Sequence, residues 1–180
     1  MTNKSIKLNS GNIINIRKNI DETKKKYWNI IKTTNLLTNK EVKNGFRTHD
    51  IKELYNKIMQ LSEKLVYVKG MLFYLNMGIT TFNKEDFKKT NNYNIFMATE
   101  MKEAITKLSC IPTLNEKTKA QKGLKAIGKS EVLSSAKIAS LIKGLQVKAN
   151  KFDAEMEKFN KGTEIDITSL GETFKNDLIA

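Results

Sequence analysis

One eight-residue segment of this chain has the spacing of a phosphate-binding loop. It fits the formula G-x-x-x-x-G-K-[ST] with Gly123, Gly128, Lys129 and Ser130. In such loops backbone amides hold phosphates, the lysine pairs with them and the hydroxyl binds magnesium. The formula also needs a buried strand before the loop and a helix after it. A helix can begin at Ser130, but residues 117–122, K-T-K-A-Q-K, are too polar for a buried strand, so a nucleotide-hydrolysing enzyme is disfavoured.

The same part of the chain is rich in lysine, which points to a polyanion as partner. Residues 117–151 contain nine lysines and one acidic residue, Glu131, in a chain of formal net charge +13. Such a surface attracts the phosphate backbone of DNA or RNA, and a helix starting at Gly128 and Lys129 can hold one phosphate. Codon bias in an A+T-rich genome is an alternative cause, because the chain has 30 lysines and two arginines. The candidate nucleic-acid or polyanion contacts are Lys117, Lys119, Lys122, Lys125, Lys129 and Lys137.

Residue types suited to catalysis or metal binding are sparse. His49 is the single histidine and has no serine or cysteine close to it in sequence. Cys110 is the single cysteine, and its place beside Ile111 predicts a small apolar filler rather than a disulfide or a zinc ligand. We therefore expect no catalytic residue, no metal and no cofactor, and a protein that is not an enzyme. A nucleotide-binding protein of the phosphate-loop type is the third hypothesis.

The spacing of apolar residues predicts the helices that must position these groups. Segment 12–37 has apolar residues in alternating steps of three and four, with Lys24, Lys25 and Lys26 mainly on its polar side. A second helix begins near Thr48 or Asp50 and ends at Gly78. The seam of the first helix is Ile13, Ile16, Ile20, Thr23, Tyr27, Ile30, Thr34 and Leu37, and that of the second is Ile51, Leu54, Ile58, Leu61, Leu65, Val68, Leu72 and Leu75.

Two long helices joined by a short connection should fold back on each other. The predicted fold is therefore all-α, a long antiparallel, coiled-coil-like hairpin with further helices packed as a small bundle. The further helices are a short one from Asn83, one over 92–110, a weaker one over 114–127 and a long one over 130–160. The predicted parts are a hairpin over 1–78, a connector with the third helix over 79–112, and a basic segment, long helix and acidic tail over 113–180, or one continuous domain.

The second helix carries apolar residues beside its seam, and this wider apolar face needs a further partner. Trp28 lies next to the seam position Tyr27, where a core role and an interface role are equally compatible with the pattern. The candidate protein-interface residues are Trp28, Tyr55, Met59, Tyr67, Met71 and Tyr74.

These patterns favour a non-enzymatic helical interaction or assembly protein that is a small subunit of a larger complex. In composition alone the chain resembles small helical subunits of nucleoprotein complexes and minor bacteriophage proteins, which implies a viral, phage or nucleoprotein assembly. The expected partner is another protein subunit or a second copy, with DNA or RNA in the alternative of a nucleic-acid-binding module. No apolar run is long enough to span a membrane, and MTNKSIKLNS lacks the apolar region of a signal peptide. We therefore expect a cytoplasmic protein, in the host cytoplasm or the virion if it is viral.

Overall fold

The described part of the protein, residues 6–114 and 128–165 of a computed structural model, is a bundle of packed helices. Within these ranges there are six helices and one two-stranded sheet. The predicted all-helical class is confirmed, with the small sheet as an addition, while the predicted helix over 114–127 falls almost wholly outside the described residues. The elements are α1 (Ser10–Thr34), β1 (Leu36–Thr38), α2 (Asn39–Lys43), α3 (Ile51–Asn76), α4 (Lys84–Phe87), α5 (Asn91–Ser109), β2 (Lys129–Glu131) and α6 (Ser135–Gly162).

Short polar side chains fix where the long helices begin and end. Asn9 caps α1 by accepting a hydrogen bond from the Asn12 amide, and the Asn12 side chain accepts one back from the Asn9 amide. Asp50 caps α3 by accepting from the amides of Lys52 and Glu53, as the sequence predicted. Just beyond α3, Gly78 has a φ of +75°, a conformation that costs glycine little and ends the helix.

The long helices form two antiparallel pairs, α1 with α3 and α5 with α6. Trp28 near the end of α1 packs on Tyr55 near the start of α3, with 6.2 Å between ring centroids. At the other end of the bundle, α6 reaches the start of α5, where Phe159 and Asn91 line the same groove. The predicted antiparallel hairpin of the first two long helices is therefore present, and a second hairpin packs against it.

The seam of α3 agrees with its sequence pattern at every position, and the predicted seam of the first helix agrees at every position except Ile16. On α3 all eight predicted positions are buried or half-buried. On α1 the predicted position Ile13 is buried, while the most buried residues of its second half, Lys24, Trp28 and Ile31, each follow a half-buried seam position. The centre of the buried face is thus shifted by one residue in this half, because a lysine occupies one of its positions and hides the apolar spacing.

The small sheet joins the end of α1 to the segment before α6. β1 and β2 are antiparallel, with Leu36 opposite Glu131 and Thr38 opposite Lys129. The prediction that a helix begins near Ser130 is therefore wrong. Ser130 lies in β2, and α6 begins at Ser135 with Ser134 as its N-cap.

An aromatic cluster fills the space between α3, α4 and α5. Phe87 at the end of α4 is fully buried and has ring neighbours on all sides. It sits directly over Gly70 of α3, where an added Cβ would lie 2.5 Å from the Phe87 ring. Gly70 is therefore needed for close approach of α4 to α3. The rings around Phe87 are those of Tyr67, Tyr74, Phe82, Tyr93 and Phe96.

One hydrophobic core connects the four long helices. It includes Trp28 of α1, Ile58 of α3, Leu108 of α5 and Leu145 of α6, each less than a tenth exposed. Among the helices of the described ranges, none has the length and apolar character that crossing a bilayer requires.

The contact between Gly70 and Phe87 predicts a large effect of one methyl group. We expect Gly70→Ala to lower the free energy of unfolding by about 1–3 kcal/mol, because the methyl group must displace a buried ring. The matched control is Gly144→Ala on α6, where a Cβ meets no atom within 4 Å. That change should raise stability by up to about 1 kcal/mol through helix propensity. Urea unfolding of both variants measures the difference, and equal stabilities would contradict the packing described.

Candidate functional site

A buried ionic cluster joins α1, α3 and α5. Glu100 of α5 is 1% exposed and accepts hydrogen bonds from the ammonium groups of Lys24 on α1 and Lys69 on α3, the latter at 2.7 Å. The Lys24 ammonium also lies 3.6 Å from Glu103. The sequence placed Lys24 on the polar side of its helix, and this prediction is wrong, since Lys24 is 3% exposed. A lysine can be buried there because Glu100 and Glu103 supply the opposite charge.

The cluster keeps its carboxylate ionised in spite of burial. Burial raises the pKa of Glu100, but the hydrogen bonds and charges of Lys24 and Lys69 outweigh it and hold the pKa below its usual range. The oxygens of Glu100 are directed at these two ammonium groups, so the cluster is suited to holding three helices in place.

A second polar network, made of hydrogen bonds, connects the end of α1 to the segment before α6. Asn35 is fully buried, and its side-chain amide donates to the carbonyls of Pro112 and Leu133 while accepting from the Leu133 amide. The guanidinium of Arg47 donates to the carbonyls of Thr34 and Asn35 and to the carbonyl and hydroxyl of Ser130. One of the two arginines of the chain is therefore used to hold β2 in place.

This polar network shows that the segment matching the phosphate-loop formula does not have the structure that the formula requires. Ser130 is engaged by Arg47 and lies in a strand, and Lys129 precedes it in the same strand rather than opening a helix. The formula requires a helix start at this point, and the structure has none there. The same finding removes the helix start that was expected to hold a nucleic-acid phosphate at Gly128.

Exposed lysines gather where the small sheet lies. Lys129 in β2 and Lys40 and Lys43 in α2 are all exposed, and the Asn39 amide donates to the Gly128 carbonyl at 2.8 Å. We call Lys40, Lys43 and Lys129 the basic end. Hydrogen bonds from Thr38, followed by the charge of Lys129, hold the pKa of Glu41 below its usual range.

Of the other predicted polyanion contacts, only Lys137 lies within the described residues. Lys137 is exposed in the first turns of α6. Leu114, which precedes the undescribed segment 115–127, donates its amide to the Glu131 side chain at 2.8 Å, so both ends of that segment are held beside the sheet. The residues that lie outside the described ranges are Lys117, Lys119, Lys122 and Lys125.

The predicted interface residues of α1 and α3 are partly used within the chain. Trp28 is 6% exposed against Tyr55, so of its two interpretations the structure places it in the core. Tyr67 is also buried, and burial first, then Tyr93 and Glu63, raise its pKa. Tyr74 packs into the aromatic cluster, while Met59 and Met71 are half-buried. The surplus apolar face of α3 thus finds most of its partner in α4 and α5.

Met59 instead borders a groove between α3, α5 and α6. The groove has a volume of about 430 Å³ and an apolar floor of methionines with one aromatic ring. We call it the methionine groove. Its floor consists of Met59, Met97, Met101 and Phe152, and its rim of Gln60, Glu63, Lys148 and Lys151. Because methionine is unbranched and flexible, such a surface can adapt to an apolar partner.

The residues considered for chemistry, His49 and Cys110, are both exposed beside the ends of helices. His49 is exposed just before α3. Cys110 is exposed at the end of α5, so the prediction of an apolar filler is wrong. Among residues 6–114 and 128–165, no three His, Cys, Asp or Glu side chains are grouped so that they could hold a metal ion.

Sequence reasoning missed most of the ionic cluster and of the groove. Glu100 and Lys69 come from separate helices, and only their packing brings them to Lys24. For the groove a weak signal existed. Lys148 and Lys151 are three residues apart and therefore share one face of α6, next to Phe152 of its apolar stripe.

The ionic cluster predicts how stability depends on pH. Because the pKa of Glu100 is lower in the folded chain than its ordinary value of 4.5, its contribution is complete above that pH and is lost as the pH falls through the folded pKa. In Glu100→Gln the free energy of unfolding should therefore fall less steeply as the pH is lowered. At neutral pH it should lower the free energy of unfolding by about 3 kcal/mol or more, since Lys24 and Lys69 lose the buried carboxylate to which both donate, and only Glu103 remains near Lys24.

Urea unfolding across this pH range measures both effects. The control is Glu85→Gln, which removes an exposed carboxylate paired with Lys88 and should change little. If the free energy of unfolding of Glu100→Gln falls with decreasing pH as steeply as that of the parent protein, the lowered pKa of Glu100 is contradicted.

Comparison with known proteins gives no match to a protein-family model, to a curated protein or to a solved structure. Function is therefore inferred from the grooves and charges of the described residues.

Proposed function

We propose that this protein is a non-enzymatic helical interaction protein, a small subunit that joins a larger assembly through the methionine groove. The observation that carries the proposal is a groove of about 430 Å³ with an apolar floor, in which Met59 and Phe152 are half-buried and Met97 and Met101 are buried. Apolar surface in a concave, adaptable setting is typical of sites that bind another protein.

The use of buried polar groups supports an interaction role over an enzymatic one. Lys24, Glu100 and Asn35 are buried, and each is bonded to another helix or to backbone groups. These bonds hold the bundle together. A bundle held by buried polar contacts, with an adaptable groove on its surface, suits a subunit that docks onto a partner.

A photoreactive amino acid at the groove tests the proposal. We expect benzoylphenylalanine in place of Gln60, on the groove rim, to cross-link a discrete protein partner in cells of the native organism. The matched control carries the same amino acid in place of Asn29, which is exposed on α1. Nuclease treatment before analysis removes association through nucleic acid. Equal cross-linking at both positions, or none at Gln60, would contradict the proposal.

A second candidate function, nucleic-acid binding, is favoured by the basic end. Lys40, Lys43 and Lys129 are exposed beside the point where segment 115–127 leaves and rejoins the described chain. The sequence of that segment contains four further lysines, Lys117, Lys119, Lys122 and Lys125. Lysine contacts to phosphates give binding with little sequence preference. The two functions are compatible, since a subunit of a nucleoprotein assembly can use both surfaces.

Salt dependence tests the second candidate. Replacing Lys40, Lys43 and Lys129 together with alanine should weaken binding to a duplex DNA and make the slope of log K against log salt less negative by about 2–3. The control replaces Lys84, Lys88 and Lys89, which removes the same charge at α4. Fluorescence anisotropy at several salt concentrations gives the slopes. Equal slopes in the two triple variants, or no binding of the parent protein at low salt, would end this hypothesis.

A further inference from the structure

The floor of the methionine groove is built around two methionines on one face of α5. Met97 and Met101 are one turn apart on α5, and Met59 of α3 and Phe152 of α6 border them on either side. Met97 and Met101 are less than a tenth exposed, so their side chains form a fixed base, while Met59 and Phe152 are half-buried. Side chains that recur every three to four residues on a partner helix fit such a row.

The charged groups at the groove rim that form no ion pair with a described residue are positive. The carboxylate of Glu63 already accepts from the Tyr67 hydroxyl at 3.3 Å and lies 4.0 Å from Lys84. Next to the groove on α6, Asp153 is paired with Lys102 at 2.9 Å. Lys148 and Lys151 have no ion pair with any described residue. A partner that places carboxylates along this rim would neutralise both lysines.

We propose that the methionine groove binds an acidic amphipathic helix of another protein, an inference that rests on the proposed function. The partner helix lays an apolar stripe on Met97 and Met101 and directs its Asp or Glu side chains to Lys148 and Lys151. A second copy of this chain is the poorer occupant, because two molecules of net charge +13 repel each other.

Three synthetic helical peptides test the inference on the full chain. The acidic peptide has leucines on one face and glutamates on the other; the basic peptide has lysines in place of the glutamates. The scrambled peptide keeps the acidic composition without an apolar face. With methionine methyl groups labelled with carbon-13, the acidic peptide should shift the signals of Met59, Met97 and Met101 saturably. The signals of Met77, which is exposed elsewhere, should stay unchanged.

Charge reversal at the rim tests the role of the two lysines. The double variant Lys148→Glu/Lys151→Glu should bind the acidic peptide at least about tenfold more weakly. The matched control is Lys137→Glu/Lys143→Glu, which has the same charge change on exposed positions of the same helix and should bind as the parent does. If both double variants bind the acidic peptide equally weakly, Lys148 and Lys151 do not have the proposed role.

Several results would overturn the inference as a whole. These are equal binding of the basic or scrambled peptide, groove signals that shift with protein concentration alone, and groove signals that shift when residues 166–180 are deleted. The last two would assign the groove to a second copy or to the chain itself. If the acidic peptide fails while Gln60 still cross-links a protein, the partner chemistry is wrong and the proposed function stands. If the peptide binds but Gln60 captures nothing, the proposed function fails.

Discussion

A single buried carboxylate sets the relative positions of three helices in this protein. Glu100 on α5 holds Lys24 of α1 and Lys69 of α3, and removal of three charged groups from water is tolerated only when their geometry is satisfied. The cluster therefore favours one arrangement of the bundle over arrangements that bury the same apolar area. Met97 and Met101 flank Glu100 on the same helix, so the position of the methionine groove depends on this contact.

A second polar network lies at the C-terminal end of α1. Asn35 and Arg47 satisfy backbone groups of the chain segments around β2, and they hold Lys129 beside the lysines of α2. Buried or half-buried polar groups thus position both candidate surfaces, the methionine groove and the basic end. The two surfaces are formed by different elements, which allows a protein partner and a polyanion to bind at the same time.

The sequence predicted well those elements whose apolar spacing is uninterrupted. All eight seam positions of α3 are apolar, and they are buried or half-buried. In the second half of α1 the centre of the buried face lies one residue from the predicted seam, because Lys24 occupies a position that spacing alone assigns to solvent. β1 and β2 are three residues each, too short for an alternation to be recognised. The groove could not be predicted, since its lining residues come from three helices distant in sequence, and only the packing of α5 against α3 and α6 unites them.

The state of Lys24 is the most direct test of the buried cluster. In a protein with nitrogen-15-labelled lysine side chains, ammonium protons exchange with water too fast to be seen unless they are buried and hydrogen-bonded. We expect a slowly exchanging ammonium signal from Lys24 at neutral pH, no such signal from its exposed neighbour Lys25, and loss of the Lys24 signal in Glu100→Gln. Exchange of Lys24 as fast as that of Lys25 would mean that Glu100 does not hold it, and the arrangement of α1, α3 and α5 described here would be wrong.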